Sequence, residues 1–468
     1  LGSSYSFLDY HNFYLLLDVA LLGLILSNFS KQGYTMAGIN PLQYISASSF
    51  SFDAMLYANK YAGVPPIVLP EVSIQKWLQR SIRGGYTQVL TKKANATPQN
   101  HLMYVDFNSL YPSVMIDNLP VEFDYEPPIL ESVAETLASL TEDRYYFLEV
   151  DIAPLAPQHQ AKCSTYPMFP NNEVVEPGHL SLDQQRRLRL NARLGEETPL
   201  KPQVRNVSTF WGKANYVTSL SYLKVAISVG YEVTRIHRIL AFHQEPVMRD
   251  YVEKMYQQKR DLSIAKNTLA KVTPVPDKAA IAVLETRIAL TKLILNSLYG
   301  YTLVNSDLHS EIEVHTVDDE NASLKKAISR SNFKSMLVVD RKVVLQKAKS
   351  KNTLEYPLMV GAAILWESKL LTARFVYGLY EYLQGFPGTK LVVHMFDTDS
   401  VIYSIENFFD HFKHQSEFSV RFNREVFPVF DTSFNLEGWQ QPETHEALKF
   451  MKDETKGIPL TTFTGTCA

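Results

Sequence analysis

Residues 391–405 read LVVHMFDTDSVIYSI, two apolar runs on either side of Asp397-Thr398-Asp399-Ser400. Val, Ile, Phe and Tyr suit a pleated backbone, and Asp and Ser suit a turn, so the stretch predicts strand, turn, strand with short acidic side chains at the tip. In locally extended backbone Asp397 and Asp399 fall on the same side. Paired carboxylates are the hard oxygen donors that Mg²⁺ takes. Taken alone, the same residues also make an ordinary acidic turn.

Two further constellations lie upstream. Residues 101–118, HLMYVDFNSLYPSVMIDN, pass from a strand to a helix with Asp106 at the junction. A carboxylate there sits beside free backbone N–H groups, and a helix N-terminus can cradle phosphates. Plain capping by Asn108 or Ser109, with Pro112 in the first turn, is the other account. The segment Ile288–Tyr299 predicts a helix closed by Gly300, with Lys292, Asn296 and Tyr299 on one face and Leu290, Leu293, Ile294 and Leu298 as a packing stripe. A cation, an amide and a ring can meet a phosphate, a base edge and a base plane. A surface helix with one exposed Lys remains the alternative.

The chain has 468 residues, 46% hydrophobic and 12% aromatic, enough for a large multi-lobed body. Its formal net charge of -3 provides no global basic field, so any nucleic-acid contact must come from local Lys and Arg placement. The two cysteines, Cys163 and Cys467, build no disulfide framework or Cys-rich zinc site, and a reducing compartment is the simple reading. No signal-peptide pattern is visible. The run Tyr14–Leu26 is too short to span a bilayer, carries Asp18, and predicts a buried helix with no membrane partner. Alternating strand pairs and helices argue for a mixed α/β (α+β) body with long insertions. A long helix is expected from Glu245 to Lys271, and residues 301–356 suit an inserted hairpin module.

In chain order the three constellations read D-x-x-S-L-Y-P, K-x-x-x-N-S-x-Y-G and D-T-D-S. They resemble motifs A, B and C of the family B DNA polymerases. Ile82-Arg83-Gly84-Gly85 resembles the Y-x-G-G loop of protein-primed members, with Ile82 where that pattern has Tyr. Residues 216–242, YVTSLSYLKVAISVGYEVTRIHRILAF, resemble polymerases of linear plasmids, viruses and self-replicating transposons. Tyr14 and Asp18 resemble the third motif of the family's proofreading exonuclease. Residues 448–468 resemble the approach to the thumb, and the sequence ends at Ala468 before a K-x-Y motif.

The resemblance implies a right-hand polymerase: a palm with an antiparallel sheet, helical fingers and two inserted modules, most of the exonuclease domain and thumb being absent. It divides the chain into an exonuclease remnant (1–62), linker loop and palm (63–120), insertion module and palm (121–245), fingers (246–300), second insertion (301–356), palm (357–435) and the start of the thumb (436–468). One inserted module of such polymerases contacts the priming protein and the other wraps DNA. The implied reaction is template-directed transfer of a nucleotide from a dNTP to a 3′-hydroxyl, or to a priming-protein hydroxyl, with two Mg²⁺ ions and Mn²⁺ as the alternative metal.

Asp106, Asp399 and the Phe107 carbonyl would hold metal, with Asp397 supporting. Lys292 and Lys259 would meet the phosphates. Ser109, Leu110, Tyr111, Asn296 and Tyr299 would line the nucleotide site, Tyr111 excluding a 2′-hydroxyl. Arg83, Gly84, Gly85 and Thr398 would contact DNA. The implied partners are primer-template DNA, dNTPs and a priming protein; the nucleus, the mitochondrion and a viral factory all stay open as compartments. The rival readings are a non-catalytic DNA-binding relic of a mobile element and, ranked lower, a reverse transcriptase.

Overall fold

The strands Lys390–Asp397 and Ser400–Glu406 form the expected hairpin, and the core of the molecule is built on it. They lie within a five-stranded sheet whose spatial order is Thr87–Val89, Lys390–Asp397, Ser400–Glu406, Asn100–Phe107 and Met451–Asp453, every neighbouring pair antiparallel. Period-2 alternation sends Met103, Val105, Val401, Tyr403 and Ile405 into the core. The computed structural model describes the chain apart from residues 1–5, 181, 194–202, 272–276, 305–309, 317–321, 349–355, 434, 436–437, 439, 442–443, 456–458 and 466–468.

Behind this sheet runs a central helix, Leu358–Leu383, which starts after Pro357 and buries Trp366 and Phe375 almost completely. Each such side chain contributes on the order of 1.5–3 kcal/mol by leaving water. The helix also packs on Leu110–Met115, Leu220–Ser228 and the strand Leu119–Tyr125. That strand opens a four-stranded antiparallel sheet, ordered Leu119–Tyr125, Val233–Glu245, Arg144–Ile152 and Lys213–Ser219. A two-stranded ribbon, Asn171–Val175 with Gln203–Val207, carries the helix Leu182–Arg193 between its strands. A separate three-stranded sheet, Ser310–Thr316, Lys342–Ala348 and Phe333–Val339, has Ala327 of the short helix Ala322–Ile328 packed on Val343 and Leu345. The mixed α+β class is therefore the observed one.

Two antiparallel helices, Arg249–Ala270 and Lys278–Thr302, form the helical lobe, with Ala47–Ala62 packed on both. Asp277 caps the second, its carboxylate accepting from the N–H groups of Ala279 and Ala280. Three expectations need correcting here. The first helix begins at Arg249, because Glu245 still belongs to a strand. Gly300 does not close the second, which continues to Thr302. Of the packing stripe, Leu290, Ile294 and Leu298 are buried as read, but Leu293 is 48% exposed and Leu295 is buried instead.

The largest correction concerns the N-terminus. The apolar run expected to be buried lies within a 31-residue helix, Phe7–Ala37, whose only buried residue is Gly33. Ser6 and Asp9 form a capping box at its start, and Gly38 ends it at φ 75°. The body meets only its last turns, where Phe29, Met36 and Ala37 reach the core. Apolar side chains point outward all round the rest, since nothing among the described residues lies against them. By length and composition this helix could cross a bilayer, a test that core helices of soluble proteins also pass. Tyr14 and Asp18 lie on its exposed part.

At the other end, Met451–Asp453 forms an edge strand of the five-stranded sheet, and Thr462–Thr464 pairs with Lys93–Asn95.

Candidate active site

Asp106 stands at the end of Asn100–Phe107, where its register partner on one side is Ser400 and on the other Lys452. The turn Asp397–Ser400 is only two residues deep, since Asp397 pairs directly with Ser400. The N–H of Phe107 donates to the Asp399 carbonyl at 2.8 Å, which fixes Asp399 beside Asp106 although the two are remote in sequence.

The turn itself is not the extended backbone expected from sequence. Thr398 has φ 57°, a left-handed conformation that costs a β-branched residue energy. Its N–H donates to the Tyr86 carbonyl at 2.9 Å, and Gly85 lies so close to the Thr398 side chain that a Cβ there would overlap its hydroxyl. The turn therefore separates the acids. Asp397 is exposed and accepts from the Thr87 hydroxyl at 2.6 Å, whereas Asp399 is half-buried toward Asp106.

Electrostatics distinguish the inner pair. Burial pushes the Asp106 carboxyl up to about 6, the nearby Asp399 charge adds to this, and Lys452 opposes it. Asp399 is raised by burial and by Asp397, with Lys452 and Lys292 pulling it back. Lys452 Nζ lies 3.2 Å from Asp106 Oδ2 and 2.6 Å from Glu454 Oε1. Burial alone would lower Lys452, but these two carboxylates hold it above its ordinary value. Lys259 is lowered, first by burial and then by the charges of Lys292 and Lys452, against Glu446. Its ammonium sits 4.8 Å over the Tyr256 ring, whose hydroxyl donates to the Glu446 carbonyl. Three lysines from three separate segments thus share one electrostatic neighbourhood with two carboxylates.

The remaining expected residues divide. Tyr111 stacks on Tyr299 with ring centroids 4.0 Å apart, joining the helix after Asp106 to the helix of Lys292. Burial raises the Tyr111 hydroxyl far above its usual range, with Tyr299 adding to it. Leu110 is buried, and Ser109, at φ 57°, opens its helix without a side-chain cap. Asn296 is exposed one turn after Lys292. Phe107 sends its ring into the core, 6.5 Å from Phe375, so only its backbone can serve the site. Arg83 is engaged internally, 4.8 Å over the Tyr216 ring and donating to Asn171 Oδ1 at 3.1 Å. A Cβ on Gly84 would meet open space. Tyr14 and Asp18, on the N-terminal helix, stand apart from all of these.

Lys452 and Glu454 were missed in sequence, although the alternation M-K-D-E of a short strand puts the two on one side. Among the described residues no group of three or more His, Cys, Asp and Glu gathers as a metal cage. Two carboxylates with a backbone carbonyl nevertheless suit Mg²⁺, which keeps several waters and is held by one or two carboxylates plus substrate phosphates.

The family profile described as DNA polymerase type B, organellar and viral, matches residues 2–274, more than half of the chain. The chain belongs to that family. The protein-primed branch of family B, expected from the motifs, agrees with this match. The match includes Asp106 and Lys259 and ends before Lys292 and the acidic hairpin. No curated protein matches the chain.

Among solved structures, Phi29 DNA polymerase complexed with primer-template DNA is similar at a TM-score of 0.44 and 16% identity, covering 77% of this chain and 48% of that one. The Phi29 ternary complex with primer-template DNA and incoming nucleotide gives 0.43 and 16%, over 77% and 49%. The family B DNA polymerase of the hyperthermophilic archaeon Pyrobaculum calidifontis gives 0.30 and 12%, over 82% and 29%. The chain spans about half the length of the Phi29 structures it matches.

Proposed function

We propose that this chain carries the nucleotidyl-transfer centre of a template-directed DNA polymerase acting in replication. The observation that supports it is the placement of Asp106, near a strand end, beside Asp399 of the neighbouring turn, with Lys452 against Asp106, Lys292 acting on Asp399, and Lys259 in turn close to those two lysines. In the proposed reaction a primer 3′-hydroxyl oxygen gives up its proton to water and bonds to the α-phosphorus of a dNTP, and the bond from that phosphorus to the pyrophosphate oxygen breaks. Two Mg²⁺ ions, when bound, would supply Lewis-acid stabilisation of the attacking and leaving oxygens.

The protein's own part is positional and electrostatic. Asp106 and Asp399, with the Phe107 carbonyl, offer the oxygen donors on a rigid sheet. Asp397, tied to Thr87, adds negative charge from the outer side of the turn. Lys292 and Lys259 neutralise the phosphates as charge grows on the leaving group. Tyr111, braced by Tyr299, blocks the space a 2′-hydroxyl needs, and Asn296 borders the nascent pair. Gly84, Gly85 and Thr398 form the backbone-rich surface on which DNA lies, while Arg83 braces that loop from behind. A priming protein, supplying the first hydroxyl, belongs to the same proposal.

Primer extension with Mg²⁺ tests this. Asp399→Asn is expected to lower extension by at least about 10³-fold, roughly 4 kcal/mol of transition-state stabilisation, while DNA affinity changes little. Parental rates in that variant refute the assignment. A parent chain that binds primer-template but extends nothing with Mg²⁺ or Mn²⁺ favours the non-catalytic relic instead.

A further inference from the structure

The helix Leu182–Arg193 has no part in the site above. Its sequence LDQQRRLRLNAR holds Arg186, Arg187, Arg189 and Arg193 against a single acid, Asp183, in a chain whose formal net charge is -3. All four arginines are exposed, and Gln184, Gln185 and Leu188 are the half-buried side of the helix. Among the described residues their partners are weak and local: Arg186 lies 3.8 Å from Asp183, both 78% exposed, and Arg189 donates to Gln185 Oε1 at 3.3 Å. A stacked ribbon and a helix of this size need no such charge for stability, since like charges on one helix repel.

The position of the helix is equally informative. It is carried by the ribbon Asn171–Val175 with Gln203–Val207, and Asn171 accepts from Arg83. The ribbon is tied again by Lys213 to Glu173 at 2.7 Å. Arg83 immediately precedes Gly84 and Gly85, and Gly85 lies against Thr398 of the acidic turn. The basic helix is thus built out from the loop that touches the catalytic hairpin.

We propose that this helix is a second nucleic-acid surface, taking the phosphate backbone of a single strand outside the catalytic cleft. The inference rests on the polymerase reading above. At 1.5 Å rise per residue, Arg186 and Arg193 stand about 10 Å apart along the helix axis, a span longer than one phosphate-to-phosphate step of an extended strand. The exposed guanidinium forks meet phosphate oxygens in bidentate pairs without reading bases. Such a surface retains the strand through counterion release and lends no sequence preference.

The test is fluorescence anisotropy of a labelled oligothymidylate over a salt series. The variants replace all four arginines by Gln or all four by Lys, and thermal melting verifies the fold of each. In the Gln variant the dissociation constant is expected to rise at least about 10-fold, and the slope of log affinity against log salt to fall by about 3, from roughly 0.7 per lost phosphate contact. The Lys variant keeps the slope. A folded Gln variant with unchanged affinity and slope overturns the proposal. So does a Gln variant that loses binding to polyglutamate but not to the oligonucleotide, since the surface then serves an acidic protein. Extension by the parent is scored separately: a parent without extension but with this binding loss breaks the catalytic reading and leaves the surface standing.

Discussion

Two helices of this protein are long and apolar, and they have opposite fates. Leu358–Leu383 has 26 residues and lies almost wholly inside, its flank crossing the helical lobe and its middle covered by two sheets. Phe7–Ala37 has 31 residues and buries only Gly33. Composition does not separate them, because each is apolar nearly all round. What separates them is supply of a partner surface: the central helix is clasped by elements from five other stretches of the chain, and the N-terminal helix touches the body at one end. Apolar sequence states a demand for cover; topology meets it or leaves it open.

Stability measurements can break this contrast. Trp366→Ala in the central helix is expected to cost about 3–5 kcal/mol in denaturant unfolding, since a large side chain leaves a closed core. Leu16→Ala in the N-terminal helix is expected to change the same quantity by less than about 0.5 kcal/mol. Comparable losses at both sites would show that the N-terminal helix is covered in solution.

A second substitution probes how tightly the central helix is held. A Cβ on Gly361 would meet Leu303 Cδ2 at 2.7 Å and overlap the Thr302 hydroxyl, so this glycine lets the central helix cross the end of the helical lobe. Gly361→Val is expected to destabilise by about 1–3 kcal/mol through overpacking. Gly23, where a Cβ would meet nothing within 4 Å, should accept Ala with no loss, or with a small gain from helix propensity.

The central helix also buries a cation, which the exposed one does not. Lys369 donates to the carbonyls of Arg83 at 2.9 Å and Leu365 at 3.1 Å, and burial, aided by Arg83, brings it down from 10.5 to about 7. Between those two values the unfolded chain holds a proton that the folded chain has lost, so folding stability contributed by this group rises with pH across that window. Unfolding free energies measured from pH 7 to 10 should therefore climb more steeply in the parent than in Lys369→Met. Equal slopes would mean that the ammonium stays charged in the fold.

The smallest expected effect is on association. Leu16→Glu with Leu24→Glu should leave melting nearly unchanged but reduce concentration-dependent light scattering, because the exposed apolar stretch is where copies would stick. Unchanged scattering would place the sticky surface elsewhere, for instance on Ile312, Val314 and Leu337 of the three-stranded sheet, each more than half exposed.

The hairpin of residues 391–405 was legible because strand-forming runs and turn formers are local signals, and the helix of Lys292 because its periodicity is. The left-handed Thr398 was not legible. Threonine has no local preference for that conformation, and it is held there by the Tyr86 carbonyl and by the missing side chain of Gly85. Leu293 and Leu295 both fit an apolar helix, and only the position of the neighbouring helices decided which one went inside.

The sequence by itself offered Asp106, Asp397, Asp399 and Lys292 as candidate site residues, in an order and spacing that resemble the family's motifs. Only the tertiary structure decided that Asp399 and not Asp397 faces Asp106, and that Lys452 stands against Asp106 at 3.2 Å. The reason is that strand register and side-chain convergence between distant segments depend on which surfaces find cover. That is a property of the whole chain, and no local run of residues encodes it.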